Sequence, residues 1–428
     1  MLPHVQSIWA TKSRKLVGKR IILAIPGSIG AVECVKLARE LIRHGAEVHT
    51  VMTEKATEII TPTAMEFATG NPVVTEITGR IEHVTLAETS DLLLVYPATA
   101  NTIGKIACGI DDTPVTTVAT TAFTKMPILI APAMHSSMYE HPIVRENVEK
   151  LKKLGVEFVD PIFEEGKAKA PNIYYTVYRV IKALHRKDLK GKRVLVTAGA
   201  TREYIDPIRF ITNGSSGKMG VALAEEADLR GAEVTLIKTK GSVKSFVEHQ
   251  IEVETPEEML EAIEWELKNR HYDVAVMAAA VNDFRAKSTA REKIRSGREI
   301  TLELEPTPKI IKRIKELQPR IFLIGFKAET EIKGAIERAK EQMEHTGSDV
   351  VVVNTNEAFG ADESRIIIVS GDSVREIPQT DKRKLAEIIW DEAIELLRHE
   401  MEKRNKARFR VRRKRETELY HPKTKRRG

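Results

Sequence analysis

Two stretches of this chain open in the same way. Residues 18–30 read GKRIILAIPGSIG and residues 191–203 read GKRVLVTAGATRE, each a basic lead into a short apolar run and a glycine turn. A run of that length bounded by glycine is a buried strand, and a helical pattern follows in both copies. They also close alike. RHGAEVHTVMT at 43–53 and LRGAEVTLIKT at 229–239 each show glycine stopping a helix before a second apolar strand. Further apolar runs, DLLLVYP, PILIAP, DVAVMAAA, IFLIGF and DVVVVNT, alternate with helical patterns, which calls for parallel sheets covered by helices. At 428 residues the chain is too long for one ordinary core. The expected class is therefore α/β, two Rossmann-like three-layer domains with mainly parallel sheets. The polar stretch HRKDLKG at 185–191 places the boundary, giving domains 1–186 and 187–402 and a tail 403–428.

Charge is unevenly spread. The net charge is +7, but the tail carries 13 Lys/Arg against two Glu, a local +11 that leaves −4 for everything before it. Such a block is expected to be a disordered, solvated end, with unspecific, salt-sensitive nucleic-acid binding as its minority reading. The two cysteines, Cys34 and Cys108, fall in apolar helical patterns and form neither a metal spacing nor a disulfide framework. No run approaches the length needed to cross a bilayer, and residues 1–20 hold no apolar export segment. No membrane partner and a cytoplasmic location are expected.

The second copy differs from the first by an insertion of about twenty residues between strand and helix. Its end, ITNGSSGKMG, sets Ser215, Ser216, Gly217 and Lys218 just before a helix, where free N–H groups and the helix dipole favour an anion. The order GSSGK is not a P-loop, because the GxxxxGK[ST] spacing is missing. Taken alone it also fits a plain helix cap. Neither half shows GxGxxG, and the second strand of the first copy ends at Thr53, with Glu54 one residue beyond, so NAD is the weaker guess. In the first half three loops follow strand ends: PGSIG at 26–30, PATANTIGK at 97–105 and APAMHSSMYEHP at 131–142. Open α/β sheets gather such loops around a ligand. Thr99, Ala100, Asn101 and Thr102 suit a phosphate and a planar ring, although an Asn there also serves as a cap.

The span 194–220 closely resembles the ligase signature of the bifunctional phosphopantothenoylcysteine decarboxylase/phosphopantothenate–cysteine ligases of coenzyme A biosynthesis, and the likeness extends from about residue 18 to about residue 397. The first half resembles the homo-oligomeric flavin-containing cysteine decarboxylases. That resemblance implies FMN lined by Gly27, Ser28, Thr53, Pro97, Ala98, Thr99 and Ala100, with His83 and Asn101 catalytic and Met134 and His135 binding substrate. Two departures stand out. The family motif PxMNxxMW reads PAMHSSMY at 132–139, so His135 replaces a carboxylate-binding Asn and Tyr139 a Trp. Where bacterial members carry a flap cysteine this chain has GKAKAP at 166–171, leaving Lys167, Lys169, His135 or water as proton donors.

For the second half the resemblance implies CTP-dependent ligation of 4′-phosphopantothenate to cysteine through an acyl-cytidylate, followed by decarboxylation to 4′-phosphopantetheine in the first half. Asn213 and Lys293 are the expected catalytic residues and Arg209 a substrate contact. Ser215, Ser216, Gly217, Ala278, Ala279, Asp283, Lys293, Pro308, Lys309, Ile310, Ile311, Phe326 and Lys340 are expected around the nucleotide, with Asp283 on Mg2+. Glu344 stands where bacterial members carry a lysine, and Arg295 replaces a lysine of the KIKK motif, which leaves CTP against ATP open. A trimer-based homo-oligomer with paired ligase domains is expected by the same resemblance. The alternatives are a related flavoprotein acting on another thiol or prenyl substrate and a flavin-binding regulatory subunit.

Overall fold

The computed structural model describes residues 2–399 apart from 298, 330, 332, 356–359 and 372, so the basic segment 403–428 lies outside the described residues. The chain divides into two units, residues 1–185 and 186–428. Among the described residues no helix is long and apolar enough to cross a membrane.

The first unit is built on a six-stranded sheet in the order Val73–Val74, Glu47–Met52, Arg20–Ile25, Leu92–Ala98, Ile128–Pro132, Glu157–Phe158. All its pairings are parallel. Strands covered on both faces must be apolar at every position, and RIILAI is buried from its second residue onward. Ile22 and Ala24 face the helices Ala100–Cys108, Pro114–Ala122 and Pro142–Lys153. A small antiparallel ribbon, Met134–His135, Lys167–Lys169 and Ile162–Glu164, stands apart from this sheet.

The second unit repeats the plan on eight strands, in the order His249–Val253, Glu233–Thr239, Arg193–Ala198, Val274–Met277, Phe322–Glu329, Val350–Thr355, Glu363–Ser370, Ser373–Asp381. Six run parallel, and the last two close the edge as an antiparallel hairpin. Val194, Val196 and Ala198 pack against the helix Lys218–Leu229 and a C-terminal helix over 382–399, whereas Leu195 faces the helices Pro256–Asn269 and Ile310–Leu317.

In both sheets the strand order reverses beside the first strand of the unit. The crevice therefore opens between the loops that follow Arg20–Ile25 and Leu92–Ala98, and between those that follow Arg193–Ala198 and Val274–Met277. Those are the positions where doubly wound sheets take ligands.

Candidate functional sites

In the first unit, glycines let three loops meet. A Cβ on Gly27 would come within 2.6 Å of Lys55 Cβ, and one on Gly30 within 3.2 Å of Pro97 Cγ and 3.6 Å of Ala170 Cβ. The loops after the first, second and fourth strands are thus in contact at one end of the sheet. Thr53 and Thr99 cap the helices Glu54–Thr57 and Ala100–Cys108, each accepting the N–H three residues on at 3.2 Å. Thr99 Oγ1 also lies 3.0 Å from Thr102 Oγ1, which fixes the start of a helix whose first N–H groups, on Ala100 and Asn101, stay open toward the crevice end. Asn101 is exposed on that first turn.

His83 lies in the first turn of Glu82–Thr89, the helix that leads into strand Leu92–Ala98. A helix feeding a parallel strand starts at the strand's C-terminal edge, so His83 belongs to the same end of the sheet as the loops. Its Nδ1 is buried and has no hydrogen-bond partner among the described residues, a costly state that a ligand or substrate group would relieve.

Met134 and His135 follow the fifth strand and pair across the ribbon with Ala168 and Lys167. His135 caps the short helix Ser136–Tyr139, with Nδ1 2.9 Å from Ser137 Oγ and 3.4 Å from the Ser137 N–H. Tyr139 meets Phe163 edge to face. The set fits a flavin: loops brought close by glycine, a helix start for a phosphate and a buried imidazole nitrogen without a partner among the described residues.

In the second unit the cradle is tighter. Gly199 holds φ +90°, and a Cβ there would lie 2.1 Å from both Ser242 Oγ and Thr239 Oγ1. Gly217 ends the insertion as the helix N-cap without any side-chain cap, so the first N–H groups of Lys218–Leu229 are free for an anion. Gly220 brings that helix onto the sheet, since a Cβ would stand 2.6 Å from Ala198 Cβ and 2.7 Å from the Thr197 carbonyl. Gly199, Gly217 and Gly220 thereby do together what the glycines of a dinucleotide fingerprint do, with the insertion between the first and second. Ser215 Oγ accepts the Gly217 N–H at 3.4 Å. Lys218 is already engaged, donating to the Gly360 carbonyl at 2.9 Å and pairing with Asp362 at 2.7 Å.

The insertion forms a ribbon of Arg202–Tyr204 and Phe210–Thr212, and two buried polar side chains that the sequence reading passed over secure it. Asn282 donates to the carbonyls of Thr201 and Ile211, and its own N–H donates to Thr201 Oγ1. Asp206 is fully buried and accepts from the N–H groups of Ile208, Arg209 and Ile294 and from the Arg209 guanidinium. Burial opposes its charge, but those four donors prevail and hold the carboxyl well below the usual carboxylate range.

These ties bring most of the expected residues together. Asn213 Nδ2 donates to the Ala280 carbonyl at 3.1 Å, beside Ala278 and Ala279, and Ala279 N–H donates to Thr197 Oγ1. Arg209 also donates to the Ile294 carbonyl at 2.9 Å, next to exposed Lys293. Asp283 forms an ion pair with Lys309, and its carbonyl accepts the Thr307 N–H. Lys309 caps the helix Ile310–Leu317, where Ile310 is buried in the core and Pro308 is exposed. Met277 pairs with Gly325, so Phe326 continues the sheet edge level with Ala278, while Ile311 Cδ1 lies 3.1 Å from where a Gly325 Cβ would stand. Lys340 lies on the exposed face of Ala335–Thr346, and among the described residues no contact ties it to the others. Among the described residues no cluster of three or more His, Cys, Asp or Glu could hold a metal by itself.

Comparison with known proteins gives two family matches: Flavoprotein over residues 9–185, and the DNA/pantothenate metabolism flavoprotein C-terminal domain over residues 189–397. The chain is 70% identical over 403 residues to the coenzyme A biosynthesis bifunctional protein CoaBC of Thermococcus kodakarensis, covering 93% of this chain and 100% of the relative. Among solved structures, the C-terminal domain of a CoaBC protein is 34% identical with a TM-score of 0.43, covering 50% of this chain and 99% of that one. The FMN-dependent cysteine decarboxylase SpaF is 30% identical with a TM-score of 0.36, covering 39% and 95%.

Proposed function

The chain belongs to the family of bifunctional coenzyme A biosynthesis proteins, with phosphopantothenate–cysteine ligase and phosphopantothenoylcysteine decarboxylase activities and a bound FMN, and from that premise we propose how its residues divide the work. Residues 1–186 carry the decarboxylase and 187–402 the ligase. Gly27, Ser28, Thr53, Pro97, Ala98, Thr99 and Ala100 hold FMN. A bound flavin supplies the reversible two-electron sink without which loss of CO2 from a cysteine would leave an unstabilised carbanion. His83 exchanges a proton with the substrate thiol during oxidation, Asn101 orients the substrate amide, and Met134 and His135 face the carboxyl end.

In the ligase, a carboxylate must gain a good leaving group before an amine can displace it. CTP supplies one: the 4′-phosphopantothenate carboxylate attacks the α-phosphate, pyrophosphate leaves, and the cysteine amine displaces CMP from the acyl-cytidylate. Ser215, Ser216, Gly217 and the helix start cradle phosphate, Lys293 neutralises charge on the α-phosphate, and Asn213 and Arg209 hold the acyl intermediate. Asp283 takes Mg2+ together with the phosphates, which fits an ion bound through few carboxylates. Ala278, Ala279, Pro308, Lys309, Ile310, Ile311, Phe326 and Lys340 surround the nucleotide, Ile310 through its backbone.

The observation that carries this reading is the Asn213–Ala280 hydrogen bond, which joins the inserted ribbon to the loop after Val274–Met277 across the crevice. The test is to supply phosphopantothenate, cysteine, Mg2+ and either CTP or ATP while following pyrophosphate, CO2 and the flavin spectrum. Pyrophosphate with CTP and little with ATP is expected; none with either nucleotide defeats the ligase assignment. His83→Asn should stop CO2 release and spare ligation, and Lys293→Gln should do the reverse. The assembly is a trimer-based homo-oligomer with paired ligase domains, which light scattering tests. The tail 403–428 gives at most unspecific, salt-sensitive nucleic-acid binding.

A further inference from the structure

Decarboxylation without net oxidation sets a strict proton balance. Oxidation at the carbon bearing sulfur lets CO2 leave with its bonding pair becoming a C=C bond, giving an enethiolate, N–CH=CH–S−. Reaching the saturated thiolate takes one hydride equivalent on the carbon next to sulfur and one proton on the carbon next to nitrogen. A flavin held by the first half would supply that hydride equivalent, so no other reductant is needed. The proton must come from an acid within reach of the carbon that lost CO2.

Neither thiol of the chain can be that acid. Cys34 is fully buried with Sγ donating to the Tyr96 carbonyl at 3.4 Å, and burial pushes its thiol up. Cys108 ends the helix whose first turn holds Asn101, about 10 Å further along at 1.5 Å per residue. The antiparallel ribbon and the short helix Ser136–Tyr139 offer four other groups. Lys169 is held between Glu164 at 3.2 Å and Glu165 at 3.0 Å, bonds that make it keep its proton. Tyr139 is turned against Phe163, and its burial makes the phenol a weaker acid. Lys167 and His135 remain.

Register sets those two apart from the rest. His135 pairs with Lys167, which pairs in turn with Glu164, so the three form one row on one face of the ribbon. Glu164 is taken by Lys169, and Lys167 makes no ion pair among the described residues. The imidazole also has a defined orientation. Nδ1 receives the Ser137 N–H and lies beside Ser137 Oγ, whereas Nε2 faces the hairpin turn, 4.0 Å from where a Gly166 Cβ would stand. In the neutral ring the proton is therefore on Nε2. A second proton, taken from solvent on Nδ1, makes Ser137 Oγ an acceptor and leaves Nε2–H as the proton to be given.

We propose that His135 is the proton donor of the reductive half-reaction, passing its Nε2 proton to the carbon that lost CO2, with Lys167 beside it attracting the anionic substrate. This inference rests on the decarboxylase activity and names the residue that completes it. The transfer leaves a neutral imidazole, which solvent reprotonates because His135 is exposed.

The experiment uses the full-length holoenzyme with phosphopantothenoylcysteine in D2O. Wild type should form one thiol per CO2, with one deuterium on the carbon next to the amide nitrogen. His135→Asn should still release CO2 but form at least about 100-fold less thiol, leaving the flavin bleached. Lys167→Met should raise KM and keep the ratio at one. In the apoprotein, 15N NMR should find the neutral ring of His135 protonated on Nε2. One thiol per CO2 from His135→Asn overturns the proposal, as does the opposite tautomer. So does a folded, FMN-loaded His135→Asn that releases no CO2, since that confines the residue to the carboxylate step. Wild type releasing no CO2 would instead defeat the decarboxylase reading itself.

Discussion

Asp206 accepts the backbone N–H of Ile294 at 3.1 Å, so a buried carboxylate in the insertion fixes the loop that carries Lys293, 88 positions away in the chain. The same carboxylate sets the turn of its own loop through Ile208 and Arg209, and Arg209 then grips the Ile294 carbonyl. Asp206→Asn should therefore leave the fold intact but release the Lys293 loop. Ligase kcat/KM is expected to fall about 10- to 100-fold, the scale of one charge-assisted hydrogen bond. CO2 release from presynthesised phosphopantothenoylcysteine should be unchanged. Equal losses in both activities would mean general unfolding.

That clip shows where the sequence was readable. The parallel strands were, because doubly covered strands must be apolar throughout, and runs such as RIILAI and RVLVTA permit little else. The glycine-stopped helices were as well. The insertion was not. Its three-residue strands, REY and FIT, are held by Glu254 and Asn282, and its turn reaches Ile294 through Asp206, contacts between residues far apart in sequence that no local pattern announces. Gly199, Gly217 and Gly220 also escape a motif search, because the fingerprint's spacing is broken while its geometry is kept. Candidates such as Asp283 and Lys309 came from resemblance alone, and their ion pair emerges only in three dimensions.

Gly220→Ala tests the close approach of helix and strand. The added methyl would meet the Ala198 Cβ and the backbone of Thr197 and Ala198, and a strand buried on both faces has little room to yield. A loss of about 1–3 kcal/mol is expected, as for other overpacked sites. The helix start should move off the crevice as well, raising the KM for nucleotide more than that for cysteine. An unchanged urea midpoint would show that the helix shifts freely.

Glu254 predicts an acid signature. Lys240, Tyr204 and Arg202 all donate to it and pull its carboxyl down to about 2, from about 4.3 for a free Glu. Its stabilisation is therefore full above the unfolded value and fades as pH falls through the folded one. Glu254→Gln should destabilise the second unit at pH 7 and progressively less from pH 4 downward. Denaturant midpoints of both proteins across pH 2–7 give the comparison, and a gap that stays constant to pH 2 would remove Glu254 as its source.

Arg230 gives the sharpest stability test. Its side chain is fully buried, 2.8 Å from Glu226, 2.7 Å from Asp391 and 3.5 Å from Asp188, and it donates to the Glu387 carbonyl at 3.0 Å. It thus ties the helix Lys218–Leu229, whose start forms the anion cradle, to the C-terminal helix over 382–399. Removing one partner of a buried ion pair leaves charge uncompensated, so Arg230→Met should cost about 3–5 kcal/mol. Pairing it with Glu226→Leu removes the charge left behind and should recover much of that loss. Trp390 reports on this region directly, because it is buried on the C-terminal helix with Nε1 donating to the Leu223 carbonyl at 2.9 Å. With Trp9 and Trp265 replaced by Phe, its fluorescence follows the second unit alone. If the double variant is no more stable than Arg230→Met, the arginine acts through packing and its carbonyl bond, and the carboxylates contribute little.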